Sequence, residues 1–249
     1  MKKILLAATA ISSMALSAQA ETVNICVEGA YPPFSWTEAS GEVVGFDIDI
    51  SNALAVEMGM EANLVKTDWD GIIPALLEGK CDAIIASMSI TDERKQVIDF
   101  SEKYYATPAA FIGAEGMMAD ALEGKVVGVQ RGTIHQDFME GEFPNVELRL
   151  YGSQDEVYLD LAAGRIDAAM GDSIAMGDGF LNTDAGAGYA YFGEMYAVPK
   201  YHGEGAGVGV RQEDTELRDA FTAAIAAIRA SGEYATINDT YFAIDVYGG

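Results

Sequence analysis

Two segments of this chain repeat one pattern of residues, and this repeat limits the folds open to it. The segment "LLEGKCDAIIAS", which ends at Ser87, aligns with "LAAGRIDAAMGD", which ends at Asp172. In the same way, "NICVEGAY" and "VVGVQRGT" place Glu28 opposite Gln130. Chance similarity between two α/β units is the alternative. A true repeat predicts two lobes of like build, with these residues at equivalent positions.

Segments of strand and helix character alternate along the chain, as parallel strands joined by crossover helices require. In the first half, the predicted strands "TVNICVEG", "EANLVK" and "CDAIIAS" are separated by the predicted helices "FDIDISNALAVEMGM" and "DGIIPALLEGK", the second capped by Asp70. In the second half, "KVVGVQ", "VELRLY" and "IDAAMGD" alternate with helical "TIHQDFMEG" and "DEVYLDLAAG". The chain is therefore predicted to be an α/β protein, in which each lobe is a mostly parallel sheet flanked by helices.

A Gly-rich strand and a long helix close the chain after the second lobe, and they are predicted to pack against the first lobe. The chain would then cross between the lobes twice, near 106–109 and near 197–205. The predicted division is a signal segment at 1–20, lobe 1 at 21–106 and 205–249, and lobe 2 at 107–204. Two extended crossings form a hinge, and a hinge allows the cleft between the lobes to close.

The first twenty residues have the pattern of a cleavable export signal. Lys2 and Lys3 precede an apolar stretch, and the small residues Ala18 and Ala20 frame the cleavage site. The apolar stretch is shorter than the roughly 20 residues that span a bilayer, and no Cys follows the site to carry a lipid. We expect a soluble periplasmic monomer that does not insert into the membrane after the signal is cleaved.

The composition excludes several classes of function. Hydrophobic residues make up 50% of the chain, which excludes a disordered protein. The formal net charge is −24, so the chain lacks the excess of positive charge that would neutralise phosphates, and nucleic acid is not a predicted partner. Cys26 and Cys81 suit either a bridge between neighbouring strands or two buried thiols. His135 and His202 are far apart in sequence, and no His/Cys cluster is apparent, so neither a metal nor a cofactor is predicted.

The stretch "ASMSITDER" ends a predicted buried strand on small residues and then supplies Arg94. One interpretation is a strand end followed by a helix cap. The other is a socket for an anion, because small side chains let a ligand approach the backbone and a guanidinium matches a carboxylate. Ser87, Asp172, Glu28 and Gln130 all lie at predicted carboxyl ends of strands, where ligands bind in open α/β sheets.

Several segments in order resemble the extracytoplasmic solute-binding proteins of ABC importers for polar amino acids, above all the lysine/arginine/ornithine and histidine binders. The resemblance covers the whole mature chain and is carried by "YPPFSW", "GEVVGFDIDI", "WDGIIPALLEGKCDAIIASMSITDERKQVIDFSEKYY", "GKVVGVQRGT", "GRIDAAMGD" and "GVGVRQEDTEL". It implies the type II periplasmic binding protein fold, with two α/β lobes and a two-segment hinge. It also implies closure on one free amino acid and transient docking on a membrane permease.

The resemblance also implies roles for individual residues. The α-carboxylate site falls on Arg94, with Ser87 and backbone N–H groups around Ser89 and Ile134, and the α-amino site falls on Asp172, assisted by Ser87. The side-chain pocket falls on Glu28, Tyr31 and Trp69 of one lobe and on Gln130, Thr133 and His135 of the other. The full predicted set of ligand-binding residues is Glu28, Tyr31, Trp69, Ser87, Met88, Ser89, Arg94, Gln130, Thr133, Ile134, His135 and Asp172.

The chain departs from the family pattern at three of these or neighbouring positions. Ala86 replaces a serine that is common in the lysine and histidine binders, Glu28 stands where they often carry an aspartate, and Ile134 replaces a threonine. These changes leave the class of ligand intact but leave the individual ligand open.

Charge matching narrows the ligand independently of the family. Arg94 needs an anion, and Asp172 and Glu28 each need a cation, because unpaired buried charges cost several kcal/mol. A free amino acid with a basic side chain satisfies all three. Tyr31 and Trp69 would enclose its side chain, with cation–π contributions of roughly 0.5 to 2 kcal/mol. Glutamine leaves Glu28 unmatched, and glutamate would be repelled.

The predicted function is extracytoplasmic binding of a basic L-amino acid and its delivery to an ABC importer. The predicted order of preference is arginine, then ornithine or lysine, then histidine. A neutral polar amino acid or an opine, and a sensory binding protein that serves a receptor, stay open as alternatives. An enzyme resembling cyclohexadienyl dehydratase would use Glu28 and Asp172 as acid and base. No Ser-His-Asp or Cys-His arrangement is apparent, so a binding protein is predicted rather than an enzyme.

Overall fold

The computed structural model describes residues 21–118 and 122–248, and the predicted signal segment 1–20 lies outside them. The strands are β1 (Glu21–Val27), β2 (Ala30–Tyr31), β3 (Ser35–Thr37), β4 (Val43–Val44), β5 (Met60–Lys66), β6 (Ala83–Ile84), β7 (Asp99–Tyr105), β8 (Ala109–Ala114), β9 (Val126–Gln130), β10 (Glu147–Tyr151), β11 (Ala168–Asp172), β12 (Tyr189–Tyr196) and β13 (Ala206–Val210). The α-helices are α1 (Phe46–Glu57), α2 (Trp69–Leu77), α3 (Ile134–Glu142), α4 (Gln154–Ala162), α5 (Ser173–Met176), α6 (Pro199–His202), α7 (Thr215–Ser231) and α8 (Glu233–Tyr241). Every segment predicted as a strand or helix from the alternating pattern contains the corresponding element.

Two five-stranded sheets form the frame of the molecule, in the orders β5-β1-β6-β13-β7 and β10-β9-β11-β8-β12. In the first sheet β1 pairs in parallel with β5 and β6, and in the second β9 pairs in parallel with β10 and β11. The two remaining pairs of each sheet are antiparallel. The sheets therefore share one strand order, as the sequence repeat predicts, but each is mixed rather than mostly parallel.

The antiparallel pairs follow from the chain crossings between the sheets. Strand β8 begins at residue 109, directly after one crossing, and β13 begins at residue 206, directly after the other. Both strands start at the edge where the parallel strands end, so they run in the opposite direction. The two crossings occupy residues 106–108 and 197–205, between the last strand of one sheet and the next strand of the other. The division into lobes at 106/107 and 204/205 stays a prediction.

Helices α1 and α7 cover one side of the first sheet and bury it. Phe221, Ile225 and Ile228 of α7 are buried, as their helical spacing predicts, and Leu217 packs at the edge of this core. Burying each such side chain contributes about 1.5–3 kcal/mol. No helix within residues 21–118 and 122–248 has the length and apolar character needed to cross a membrane.

The structure corrects one predicted helix start and tests the helix-cap interpretation of "ASMSITDER". The N-cap of α2 is Asp68, whose backbone is extended (φ −62°, ψ 145°), whereas the predicted cap Asp70 already lies in the first helical turn. After "TDER" the chain forms only a 3-10 turn at Arg94–Gln96, because strand β7 begins three residues later. The backbone N–H of Arg94 donates to the hydroxyl of Thr91 at 3.3 Å.

Cys26 and Cys81 form a disulfide bond, with their Cα atoms 5.7 Å apart. Cys26 lies in β1 and Cys81 precedes the neighbouring strand β6, and both side chains are fully buried. This resolves the alternative that the sequence left open, in favour of the bridge.

Replacing both cysteines with alanine is expected to lower the free energy of unfolding by about 4 kcal/mol, because the bridge joins residues 55 positions apart and constrains the unfolded chain. Chemical denaturation of the oxidised protein and of the Cys26→Ala/Cys81→Ala variant measures the difference. A loss below about 1 kcal/mol would show that the bridge adds little to stability.

Candidate functional site

A cavity of about 420 Å³ lies between the two sheets, at the carboxyl ends of their parallel strands. Strand ends supply four of its polar residues: Glu28 follows β1, Ser87 follows β6, Gln130 ends β9 and Asp172 ends β11. The equivalent strands of the two sheets face each other here. The sequence repeat matches Glu28 with Gln130 and Ser87 with Asp172, and all four residues line this cavity.

Eleven of the twelve predicted ligand-binding residues line this cavity. Met88 does not, because its side chain is buried in the hydrophobic core together with Ile72 and Ile98. Ser87 and Ser89 line the cavity, and Met88 between them faces the core.

The half-buried guanidinium of Arg94 forms part of one wall of the cavity. It donates to the carbonyl oxygen of Ser89 at 3.0 Å and to that of Gly132 at 3.3 Å, and its central carbon lies 5.4 Å from the ring centre of Trp69. None of the ion pairs found in the described part of the chain includes Arg94. Burial lowers the pKa of Arg94 to about 10, so the group stays cationic at neutral pH. This wall can accept an anion.

The N-terminus of α3 adds donors to the same wall. Thr133 is the N-cap, and its hydroxyl accepts the backbone N–H of Gln136 at 3.4 Å. Ile134 and His135 form the first turn, where backbone N–H groups have no acceptor within the helix. Such a helix end favours negative charge beside it.

Asp172 places a carboxylate on another wall. As the N-cap of α5, its Oδ1 accepts the backbone N–H of Ile174 at 2.8 Å and that of Ala175 at 3.2 Å, and its Oδ2 accepts the hydroxyl of Thr107. Burial raises the pKa of Asp172 to about 6 despite these donors. A cation bound here would favour the ionised form.

Glu28 places a second carboxylate on a different part of the wall. It is 6% exposed, and its Oε1 accepts the amide Nε2 of Gln130 from the other sheet at 2.6 Å. Burial, with a smaller contribution from the nearby charge of Asp155, raises the pKa of Glu28 to about 7. Tyr31, also nearly buried, stacks on Phe34 with ring centres 5.8 Å apart. This end of the cavity is suited to a cationic group with an apolar stem.

Direct contacts join the two sides of the cleft at its mouth. The indole Nε1 of Trp69 donates to the carbonyl oxygen of Gly132 at 3.1 Å, and Arg131 forms an ion pair with Asp70. Each contact joins a segment next to the first sheet to one next to the second. The cleft is therefore closed in this structure.

Two histidines that are distant in sequence meet at the cavity. The ring centres of His135 and His202 are 6.3 Å apart, and both residues line the cavity. Within the described residues, Nδ1 of His135 and Nε2 of His202 are buried without a hydrogen-bond partner. Burial lowers the pKa of His135 to about 3 and also lowers that of His202, so both rings are neutral at pH 7.

One buried acid that the sequence interpretation missed lies behind the cavity wall. Asp47, in the first turn of α1, is fully buried and is bonded to the hydroxyls of Ser87 and Tyr104. Burial raises the pKa of Asp47 to about 7. Its position on the apolar side of a helix was not apparent from the apolar pattern alone.

Other residues that the sequence interpretation missed come mainly from the two chain crossings. The sequence analysis predicts that both crossings run beside the cleft, and this prediction could have identified the crossing residues as part of its lining. These additional cavity residues are Ala86, Tyr105, Ala106, Thr107, Pro108, Ala197, His202, Gly203, Glu204, Gly205 and Ala206.

Known proteins resemble this chain along its whole length. Residues 23–244 match the sequence model of the bacterial extracellular solute-binding proteins, family 3. The L-arginine-binding protein of Pseudomonas aeruginosa is 48% identical, over 100% of this chain and 99% of its own length. The lysine/arginine/ornithine-binding periplasmic protein of Escherichia coli is 40% identical, over 100% of both chains.

A solved structure supports the same relationship. A Salmonella typhimurium periplasmic binding protein described as having high arginine specificity matches with a TM-score of 0.84 and 32% identity, over 90% of this chain and 100% of its own. The predicted fold class is confirmed by this match.

Proposed function

Because the chain belongs to the bacterial extracellular solute-binding proteins of family 3, we propose that it binds one free basic L-amino acid in the periplasm and delivers it to the permease of an ABC importer. Arginine is the preferred ligand, followed by ornithine or lysine and then histidine. The names of the relatives, which are binding proteins for arginine and for lysine, arginine and ornithine, support this class of ligand. They likewise favour a binding protein over an enzyme.

The observation that carries the proposal is the set of charges around one closed cavity. Arg94 contributes a cation that has no acidic partner among the described ion pairs, and Asp172 and Glu28 contribute two carboxyls whose pKa values burial raises. All three line the same space. A zwitterion with an additional positive charge on its side chain neutralises all of them, whereas a neutral or acidic amino acid does not.

Each part of such a ligand has a matching wall. The α-carboxylate binds the guanidinium of Arg94 and the first-turn N–H groups of α3. The α-ammonium binds the carboxylate of Asp172. The side chain extends past Tyr31 and Trp69 to Glu28, and the carbonyl oxygen of Gln130 accepts a further N–H. A guanidinium has more N–H donors than an ammonium, which favours arginine over lysine at this end.

Closure of the cleft couples binding to delivery. Ligand atoms held from both sides favour the closed arrangement over the open one, since the ligand contacts both walls only when they approach. At the mouth of the cleft, the contacts between Trp69 and Gly132 and between Arg131 and Asp70 then stabilise the closed arrangement further. A permease that recognises the closed form would receive only loaded protein.

A thermal-shift screen of the common amino acids with ornithine, citrulline and octopine tests the proposal. A micromolar ligand has a standard binding free energy of about −8 kcal/mol, and saturation raises the apparent stability by about 3–4 kcal/mol. We expect the largest shift with L-arginine. A largest shift with a neutral or acidic amino acid would contradict the basic ligand, and no shift with any of them would contradict amino acid binding.

The affinity for L-arginine is expected to rise with pH between 5.5 and 8. A bound cation favours the ionised forms of Glu28 and Asp172, so the complex holds fewer protons than the free protein and binding releases protons. Burial in the cleft places these two pKa values at about 7 and about 6, so affinity falls as pH falls through this window. We expect binding on the order of 10- to 100-fold weaker at pH 5.5 than at pH 8.

Titration calorimetry at the two pH values measures this change, and buffers of different ionisation enthalpy count the protons released. The pKa of His135 is about 3, so this residue stays neutral throughout the range. The variant Glu28→Gln is the control, because it removes one titrating group, and its pH dependence should be smaller. Equal or tighter binding at pH 5.5 would contradict the assignment of the two carboxyls.

A further inference from the structure

Ser87 has an unusual backbone conformation for its residue type. Its φ is +55°, and among residues 21–118 and 122–248 it is the one non-glycine residue with a positive φ. The left-handed region is unfavourable for a residue with a side chain, because its Cβ comes close to the following carbonyl oxygen. The backbone N–H of Ser87 donates to the hydroxyl oxygen of Tyr104 at 2.9 Å, which helps to hold this conformation.

Three hydrogen bonds close a ring behind Ser87. The hydroxyl of Tyr104 donates to Oδ1 of Asp47 at 2.9 Å, and the hydroxyl of Ser87 donates to Oδ2 of Asp47 at 2.9 Å. Asp47 and Tyr104 are both 0% exposed. Neither side chain lines the cavity, while Ser87 does. Asp47 can therefore reach a ligand by hydrogen bonding only through Ser87, while its charge also acts through space on the cavity carboxyls Glu28 and Asp172.

The ring determines where the hydroxyl proton of Ser87 points. A serine hydroxyl has one proton to donate and two lone pairs that accept. Above its pKa of about 7 Asp47 is ionised and can only accept, so at pH 8 the Ser87 proton is directed away from the cavity. On the cavity side Ser87 then presents lone pairs and no donor, so of the two roles that the resemblance implies for Ser87, its hydroxyl suits the α-amino group and not the α-carboxylate.

We propose that Asp47 is a positioning residue that holds Ser87 as a hydrogen-bond acceptor for the α-ammonium of the ligand. The inference rests on the proposed function, and it narrows the class of ligand. Asp172 supplies the opposite charge, and Ser87 supplies a second acceptor for an ammonium that has three donors. Analogues that lack the protonated α-amino group leave both acceptors unmatched.

The variant Asp47→Asn tests the inference because it keeps the shape of the side chain and reverses one hydrogen bond. The amide oxygen can still accept from Tyr104, but the amide nitrogen then faces Ser87 and donates to it. The Ser87 proton turns toward the cavity and opposes the ammonium. We expect the affinity for L-arginine, measured by calorimetry at pH 8 where Asp47 is mostly ionised, to fall at least 10-fold.

The matched control is Asp49→Asn. Asp49 lies two residues away in the same helical turn and accepts the hydroxyl of Tyr241 at 2.7 Å, outside the cavity lining. This variant removes the same charge from the same helix. We expect its affinity for L-arginine to stay within 2-fold of that of the unmodified protein.

A double-variant cycle separates this role from general support of the fold. Ser87→Gly removes the hydroxyl while a glycine accepts the positive φ. If Asp47 acts through that hydroxyl, adding Asp47→Asn to Ser87→Gly changes the affinity by less than 2-fold. If the two losses instead multiply, Asp47 acts by another route and the inference is overturned.

A comparison of ligands covers the case in which Asp47→Asn does not fold. Ser87→Gly should weaken L-arginine at least 10-fold but weaken 5-guanidinopentanoic acid, which lacks the α-amino group, less than 2-fold. Equal losses for both would overturn the inference. If the unmodified protein binds no amino acid, the proposed function fails; if it binds L-arginine and Asp47→Asn binds it equally well, only this inference fails.

Discussion

Replacing Arg94 with alanine is expected to abolish measurable binding of every amino acid ligand while the protein stays folded. The guanidinium lines the cavity and has no acidic partner among the described ion pairs, so it is available to the α-carboxylate that all these ligands share. Loss of one partner of a desolvated charge pair costs about 3 kcal/mol or more, which is at least about a 100-fold loss of affinity. Titration calorimetry measures the loss, and circular dichroism checks the fold.

Arg218→Ala is the matched control for this experiment. Arg218 lies on α7 in ion pairs with Asp99 and Asp219, outside the cavity lining, so its loss removes the same charge without touching the proposed site. Its affinity should equal that of the unmodified protein. An Arg94→Ala protein whose affinity is retained within threefold would contradict the carboxylate assignment.

Replacing Glu28 with glutamine is expected to change which ligands bind as well as how tightly. The amide oxygen can still accept from Gln130, so the contact between the two sheets is kept. The cationic end of the ligand loses its charged partner, which costs on the order of 2 kcal/mol or about 30-fold for arginine. Calorimetry with L-arginine measures this loss.

The neutral analogue L-citrulline serves as the internal control for Glu28→Gln. It has nearly the same shape as arginine but no side-chain charge, so the substitution should spare or improve its binding. An unchanged affinity for arginine would contradict the role of Glu28. A parallel loss for both ligands would show that the substitution disturbs the pocket in general.

Local sequence patterns predicted most of the elements but not the direction of several strands. The apolar spacing in α7 identifies that helix from neighbours within one or two turns. Strands β7, β8 and β13 adjoin the crossings, and their antiparallel pairing depends on where the chain passes from one sheet to the other. That path is a long-range property which local periodicity does not contain.

The candidate site was predictable where the family pattern or the strand ends indicated it. Met88 was placed wrongly because the pattern marks the whole "SMS" stretch, whereas the Met88 side chain packs into the core and only the two serines line the cavity. Asp47 was missed because an acid in the first turn of a helix usually caps or faces solvent. His202 was missed because its contact with His135 joins residues far apart in the chain. Whether Cys26 and Cys81 are bonded was left open for the same reason, since they are 55 positions apart.

The most direct measurement of the central claim is titration calorimetry of the unmodified protein with L-arginine and with L-citrulline at pH 8. At this pH a carboxyl whose pKa is about 7 is mostly ionised before the ligand arrives. The charge set of Arg94, Asp172 and Glu28 predicts that arginine binds at least about 30-fold more tightly than citrulline, which corresponds to about 2 kcal/mol. Equal affinities, or tighter binding of citrulline, would contradict a cavity built for a basic amino acid.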